Sequence, residues 1–334
     1  MIQVEDLSKK YARHVAVDGI SFAVEKGDIV GFLGPNGAGK TTTMRMLTCF
    51  LPPSKGRAKV AGFDVFDQAF EVKKRIGYLP EAPPIYPEMS VEDYLTFVAR
   101  LKKVPGREMK ARIERVLERC AIADVKGKLI GNLSKGYRQR VGLAQAIVHN
   151  PDVLILDEPT AGLDPKQINE TRELIRDLSG EHTIILSTHI LPEVETVCKT
   201  VIIINRGRLV ITDSVEHLKQ RGAGNAIQVQ IDTDGTAHPD TVRQRLEQVA
   251  GVSKVIDKPQ TAAPFVFEVQ SLPGHNAKPD LARTIVHAGW NLLELKSMTS
   301  SLEEIYLSLT GGAIEPAPKP AEPEVPAETV GETK

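Results

Sequence analysis

Residues 34–42 read GPNGAGKTT, and this stretch decides the fold. Its spacing is G-x-x-x-x-G-K-S/T: Gly34, then Pro35, Asn36, Gly37 and Ala38, then Gly39, Lys40 and Thr41, with Thr42 behind. An apolar run, IVGFL at 29–33, leads into it, and a helical pattern from Lys40 leaves it. Glycines let successive backbone N–H groups turn inward around phosphate oxygens, and a helix N-terminus favours the anionic charge. In that frame Lys40 is expected to reach the β- and γ-phosphates of a nucleotide, and Thr41 to offer its hydroxyl to Mg²⁺.

The second half of the expected site is VLILDE at 153–158. An apolar strand there ends in two carboxylates. Asp157 is expected to hold Mg²⁺, directly or through water. Glu158 is expected to polarise an attacking water, which requires hydrogen-bond reach. His189 follows another apolar run, at 183–187, and so is expected at the carboxyl edge of a sheet, where ligands gather in open α/β folds. From there an imidazole can bond the γ-phosphate or order the water. The other seven histidines, His14 among them, read as polar surface residues.

Around these motifs, residues 1 to about 218 alternate short apolar strands (29–33, 153–156, 183–187, 201–204) with helical patterns (40–48, 91–103, 108–120, 167–178). That alternation predicts an α/β unit on a largely parallel sheet. Residues 2–5 and 20–25 alternate in the antiparallel manner and predict a small sheet beside it. A second unit, about 226–310, reads βαββαβ plus a last helix at 301–309, a split βαβ pattern. It carries no nucleophile, metal cluster or phosphate loop, so a scaffold or interface role is expected there. Gly222 and Gly224 mark the linker. Residues 311–334 hold five prolines, five glutamates and no aromatic residue, a composition expected to stay disordered.

Composition bounds the function. The 334 residues are 41% hydrophobic and 25% charged, values of a globular chain with room for about two domains. Forty-two basic against 43 acidic residues leave a net charge near −1, so no bulk cationic footprint for nucleic acid exists. No apolar run is long enough to span a bilayer, and residues 1–10 hold no apolar signal core. A cytosolic protein is the expectation. Three scattered cysteines fit neither a disulfide scaffold nor a zinc site.

In this order the motifs resemble those of an ATP-binding cassette (ABC) ATPase, over about residues 1–218. The chain looks like the nucleotide-binding subunit of an ABC-2 type exporter, the group with drug-export, sodium-export and gliding-motility ATPases. The implied fold is α/β: a P-loop NTPase of ABC type with a small N-terminal antiparallel sheet, a helical subdomain at about 82–145, and a small C-terminal α+β domain.

Residue by residue, the resemblance makes Tyr11 the aromatic that stacks on adenine. It makes LSKGYRQR, at 133–140, the signature that opens a helix, with Ser134 and the Gly136 backbone facing the γ-phosphate of ATP held by the other subunit. AGLD at 161–164 becomes the loop whose Asp164 communicates across a dimer, and His189 the switch histidine. Two departures stand out. Glu81 occupies the place of the usual glutamine that contacts Mg²⁺ and the attacking water, and an ionised carboxylate cannot donate a hydrogen bond. Lys135 and Tyr137 are larger than the signature's usual Gly and Gln.

The resemblance further implies ATP and Mg²⁺ as cofactors, a second ABC subunit (a homodimer by preference), and a separately encoded membrane-spanning permease that meets the proline-rich loop PPIYPEM at 83–89. Attachment to the cytoplasmic face of the cell membrane follows, with export as the direction. Two other readings carry different expectations. A soluble ABC protein of repair or translation would show a long coiled-coil insertion or two phosphate loops, and this chain has neither. A weakly hydrolysing regulatory subunit is the reading that Glu81 and the altered signature favour, against an intact Lys40, Asp157, Glu158 and His189.

Overall fold

A computed structural model describes residues 1–222, 226–235, 237–257, 264–272, 275–297 and 302–310. The expected tail at 311–334 and Gly224 of the expected linker lie outside these residues.

The four apolar runs are all strands of one six-stranded sheet. Its order is Arg208–Ser214, Thr200–Asn205, Ile29–Leu33, Thr183–Thr188, Val153–Asp157, Ile76–Leu79, parallel except for the Arg208–Ser214 edge. These strands read as nearly unbroken apolar sequence because both faces are covered. Successive residues feed two different cores. Val30, Phe32, Val153, Ile155, Ile185, Ile202 and Ile204 point to one face. Leu33, Leu154, Leu156, Ile184, Leu186, Val201 and Ile203 point to the other.

The first face packs against helix Lys40–Leu47 and a four-stranded antiparallel sheet, Ile2–Tyr11, His14–Val24, Lys55–Val60 and Phe63–Asp64. Its first two strands run well beyond the expected 2–5 and 20–25. Register shifts between Val4 and Leu7 and again up to Lys10 break the alternation of the sequence there, though not the pairing.

The second face carries helices Val91–Leu101, Gly106–Arg119 and Lys135–Ile147, whose buried Leu95, Val98, Ile113, Val116 and Val141 join the same core. Helices Pro165–Asp177 and Leu191–Val197 complete it.

The C-terminal unit is a four-stranded antiparallel sheet ordered Val252–Asp257, Phe265–Ser271, Ala226–Asp232, Asn291–Ser297. Helices Pro239–Glu247 and Lys278–His287 cover one face around Val229, Ile231, Leu246, Phe267 and Leu281. The βαββαβ order is the one expected. Its last helix, Leu302–Thr310, does not pack on this sheet. Leu302, Ile305 and Tyr306 return to the core of the six-stranded sheet, beside Leu191, Val194, Val215 and Leu218. An apolar residue at each of 302, 305 and 306 predicts one buried face and cannot say which core receives it. Among the described residues no helix is long and apolar enough to cross a membrane.

Candidate functional site

Sheet order assembles the site. Four neighbouring parallel strands end on the same edge, and just beyond them stand the loop 34–39, His189, Glu158 and Glu81. A cleft of about 610 Å³ on that edge is lined by Tyr11, Pro35–Thr42 of the loop and helix, Glu81, Glu158, Ala161 and His189. Tyr11 lines one wall at 41% exposure, with Lys9 Nζ 5.6 Å from its ring centroid. His14, Ala16 and Arg45 line the cleft too. His14 reads in sequence as a surface residue, and only the pairing of Tyr11 with His14 across the hairpin brings it here. Arg45 had a legible signal, since it lies one helical turn after Thr41.

The loop's glycines are needed at two points. Gly39 caps helix Lys40–Leu47 with φ 106°, and a Cβ there would meet Ala16 O at 2.6 Å. A Cβ on Gly34 would meet Ile204 O at 2.4 Å. Lys40 is buried, and its Nζ donates to Gly34 O at 2.8 Å and lies 3.7 Å from Glu158 Oε1. Burial pulls its pKa down, and Glu158, Asp157 and Glu81 all oppose that pull.

Asp157 is fully buried. Its Oδ1 accepts from Ser187 Oγ at 2.7 Å, while Oδ2 is buried with no hydrogen-bond partner among the described residues. Burial pushes its carboxyl above the usual carboxylate range, against the pull of Ser187 and Thr41. Glu158 takes the left-handed backbone conformation, φ 50°, held by its N–H on Ser187 O at 2.8 Å. Strain of this kind at a non-glycine residue costs about 1–3 kcal/mol and collects at functional sites. The turn carries the carboxylate into the cleft, where His189 Nδ1 lies 3.0 Å from each of its oxygens. That bond raises the pKa of His189 against the effect of burial.

Ser134, Gly136 and Asp164 lie elsewhere. None lines the cleft of its own chain. Ser134 caps helix Lys135–Ile147 by accepting from Tyr137 N, and Asp164 caps helix Pro165–Asp177 by accepting from Gln167 N at 2.9 Å. The two caps are packed together. A Cβ on Gly136 would meet the Gln167 side chain at 2.6 Å, and one on Gly162 would meet Lys135 Nζ at 1.9 Å. Lys135 therefore lies over the 161–164 loop of its own chain.

The sequence pattern of the ABC transporter family matches residues 17–161. The ABC transporter ATP-binding protein YxlF of Bacillus subtilis is 35% identical over 92% of this chain and 99% of its own length. The bacitracin transport ATP-binding protein BcrA of Bacillus licheniformis is 35% identical over 93% of this chain and 98% of its own. Among solved structures, the ATP-binding subunit of an ABC transporter superposes with a TM-score of 0.61 at 28% identity, covering 66% of this chain and 92% of that one.

Proposed function

Because the chain belongs to the ABC transporter family, as an ATP-binding and ATP-hydrolysing subunit that works with a permease, we propose that it drives an exporter of the ABC-2 type as a homodimer on the cytoplasmic face of the membrane. The observation that carries the dimer is the separation of Ser134, Gly136 and Asp164 from the cleft of their own chain. Two copies set head to tail bring the capped signature helix of one to the phosphate loop of the other. Export is supported by relatives named for bacitracin transport and daunorubicin resistance that match over nearly their whole length.

In this reading Tyr11 stacks on adenine, which an aromatic face does without a hydrogen-bond code. The amides of 34–39 and Lys40 hold the phosphates. Thr41 and Asp157 suit Mg²⁺. Both offer hard oxygen ligands, and the orphaned Oδ2 of Asp157 is an acceptor that a cation satisfies. Bound there, Mg²⁺ neutralises charge on the β- and γ-phosphate oxygens. Glu81, on the cleft wall, reaches the same region as a further carboxylate ligand. Glu158 takes a proton from the attacking water while His189 fixes its orientation. Ser134 and Gly136 of the second copy face the γ-phosphate, so its loss dissolves the contact that closes the pair.

Glu158→Gln tests the assignment. The variant is expected to bind ATP, lose turnover, and elute as an ATP-dependent dimer in gel filtration. Turnover at the wild-type rate would sink it.

A further inference from the structure

Glu193 is 1% exposed, in the helix that starts two residues after His189. A buried carboxylate is costly unless each oxygen is satisfied, and here both are used. Oε1 accepts from the Thr160 hydroxyl and Oε2 from the Thr188 hydroxyl at 3.0 Å. Thr160 lies two residues beyond Glu158, in the loop that runs to Asp164. Thr188 ends strand Thr183–Thr188, directly before His189; its oxygen accepts from Ile190 N at 3.0 Å and lies 3.4 Å from Glu158 Oε2. Arg172, on helix Pro165–Asp177, brings its guanidinium to 3.9 Å from Oε1. A single side chain thus ties three segments: the loop after Glu158, the turn before His189, and the helix that Asp164 caps.

We propose that Glu193 is a positioning residue for hydrolysis: its two oxygens pin Thr160 and Thr188 so that Glu158 and His189 keep their mutual geometry. The inference rests on Glu158 as the base. Glu193 does not line the cleft; it acts through Thr160 and Thr188 on Glu158 and His189, which do. The strained backbone of Glu158 is held by its N–H on Ser187 O and by its C=O, which accepts from Ala161 N at 3.1 Å, and Glu193 adds a side-chain tie to Thr160 and Thr188 around it. The tie also joins the base to the 161–164 loop, so displacement of that loop on dimer closure is transmitted to Glu158 and His189 together.

The test is steady-state ATPase kinetics on the full chain with Glu193→Ala, Glu193→Gln, Thr160→Val and the pair Glu193→Gln/Thr160→Val. A misplacement of catalytic groups by about 1 Å costs on the order of 100-fold. Glu193→Ala is therefore expected to lower kcat by about 10- to 100-fold with KM for ATP nearly unchanged. Glutamine keeps one carbonyl acceptor and so one of the two hydroxyl partners, and is expected to recover part of the rate. Thr160→Val and Glu193→Gln break overlapping contacts, so their costs combined should fall short of additive. If Glu193→Ala fails to fold, the glutamine and valine variants complete the comparison alone. Wild-type kcat in Glu193→Gln and Thr160→Val, strictly additive costs, or a fall in kcat matched by an equal rise in KM would each overturn the proposal. An inactive Glu158→Gln beside an unaffected Glu193→Gln removes Glu193 alone. A fully active Glu158→Gln removes the base assignment and this inference with it.

Discussion

His189 Nδ1 stands 3.0 Å from both carboxylate oxygens of Glu158, and Glu158 Oε1 stands 3.7 Å from Lys40 Nζ. Lys40 and the His189 imidazole share one carboxylate, so the charge of the histidine matters to the whole cluster. The bond to Glu158 raises the pKa of His189, burial and Lys40 lower it, and Glu193 adds to the rise. A histidine raised in the folded state contributes stability fully below its unfolded value near 6.5 and loses it as pH climbs through the raised value. The melting temperature of wild type minus that of His189→Ala should therefore shrink as pH rises from about 6 to about 8. Thermal melts of both proteins across that range check it, and parallel curves would show that folding leaves the pKa of His189 unshifted.

The glycines of the phosphate loop should divide sharply on substitution. Gly37 has φ 76° with open space where a Cβ would go, whereas Gly39 has φ 106° and the Ala16 carbonyl 2.6 Å from that point. Gly37→Ala should cost about 1–2 kcal/mol of backbone strain and fold. Gly39→Ala forces the loop away from Ala16 and should abolish binding of a fluorescent ATP analogue. Equal binding by the two variants would mean that loop shape is not what holds phosphate.

Glu81 lines the cleft and acts electrostatically on Lys40, so it is a negative charge close to where phosphate is proposed to sit. Removing it should strengthen ATP binding in EDTA several-fold, because like-charge repulsion is lost. In Mg²⁺ the gain should be smaller, since the cation screens that repulsion and Glu81 is one of its candidate ligands. Isothermal titration of Glu81→Gln with and without Mg²⁺ separates the two effects. A turnover rate that rises well above wild type would favour the reading in which this subunit is naturally slowed.

How much of this was legible before the fold was known depended on range. The phosphate loop is local: strand, glycines and helix lie within about fifteen residues, and the sequence alone placed them. Asp157 and Glu158 were readable as the end of an apolar strand. His189 was readable at a sheet edge behind its own apolar run, and Glu81 only through the resemblance; that they stand on either side of the two carboxylates follows from strand order in the sheet, which is a tertiary property. Glu193 left no trace at all. A glutamate in a short helix reads as solvent-facing, and only the packing of helix Pro165–Asp177 against Leu191–Val197 buries it. The placing of Lys135 over Gly162 was likewise invisible, since the sequence says that residue 135 is large and charged and not where its amine goes.

The return of helix Leu302–Thr310 makes the last prediction. Tyr306 is 5% exposed in the core of the six-stranded sheet, although the whole C-terminal sheet separates it from that sheet in sequence. The helix is fastened at both ends. Leu302 N donates to Glu195 Oε1 at 3.1 Å, on the helix that carries Glu193, and Asn205 Nδ2 donates to Thr310 O at 3.4 Å. Replacing a buried aromatic by alanine costs about 3–5 kcal/mol through lost burial and the cavity left behind. Tyr306→Ala should therefore lower the melting temperature of the ATP-binding part and not merely loosen the C-terminal sheet. Val286, 65% exposed on helix Lys278–His287, serves as the control, and Val286→Ala should stay within about 0.5 kcal/mol of wild type. Melting in the presence and absence of ATP reads the outcome. Because a ligand shifts only the unit that binds it, the transition that ATP stabilises is the one Tyr306→Ala should move. If that transition stays in place and only an ATP-insensitive one shifts, the helix stabilises the C-terminal sheet alone.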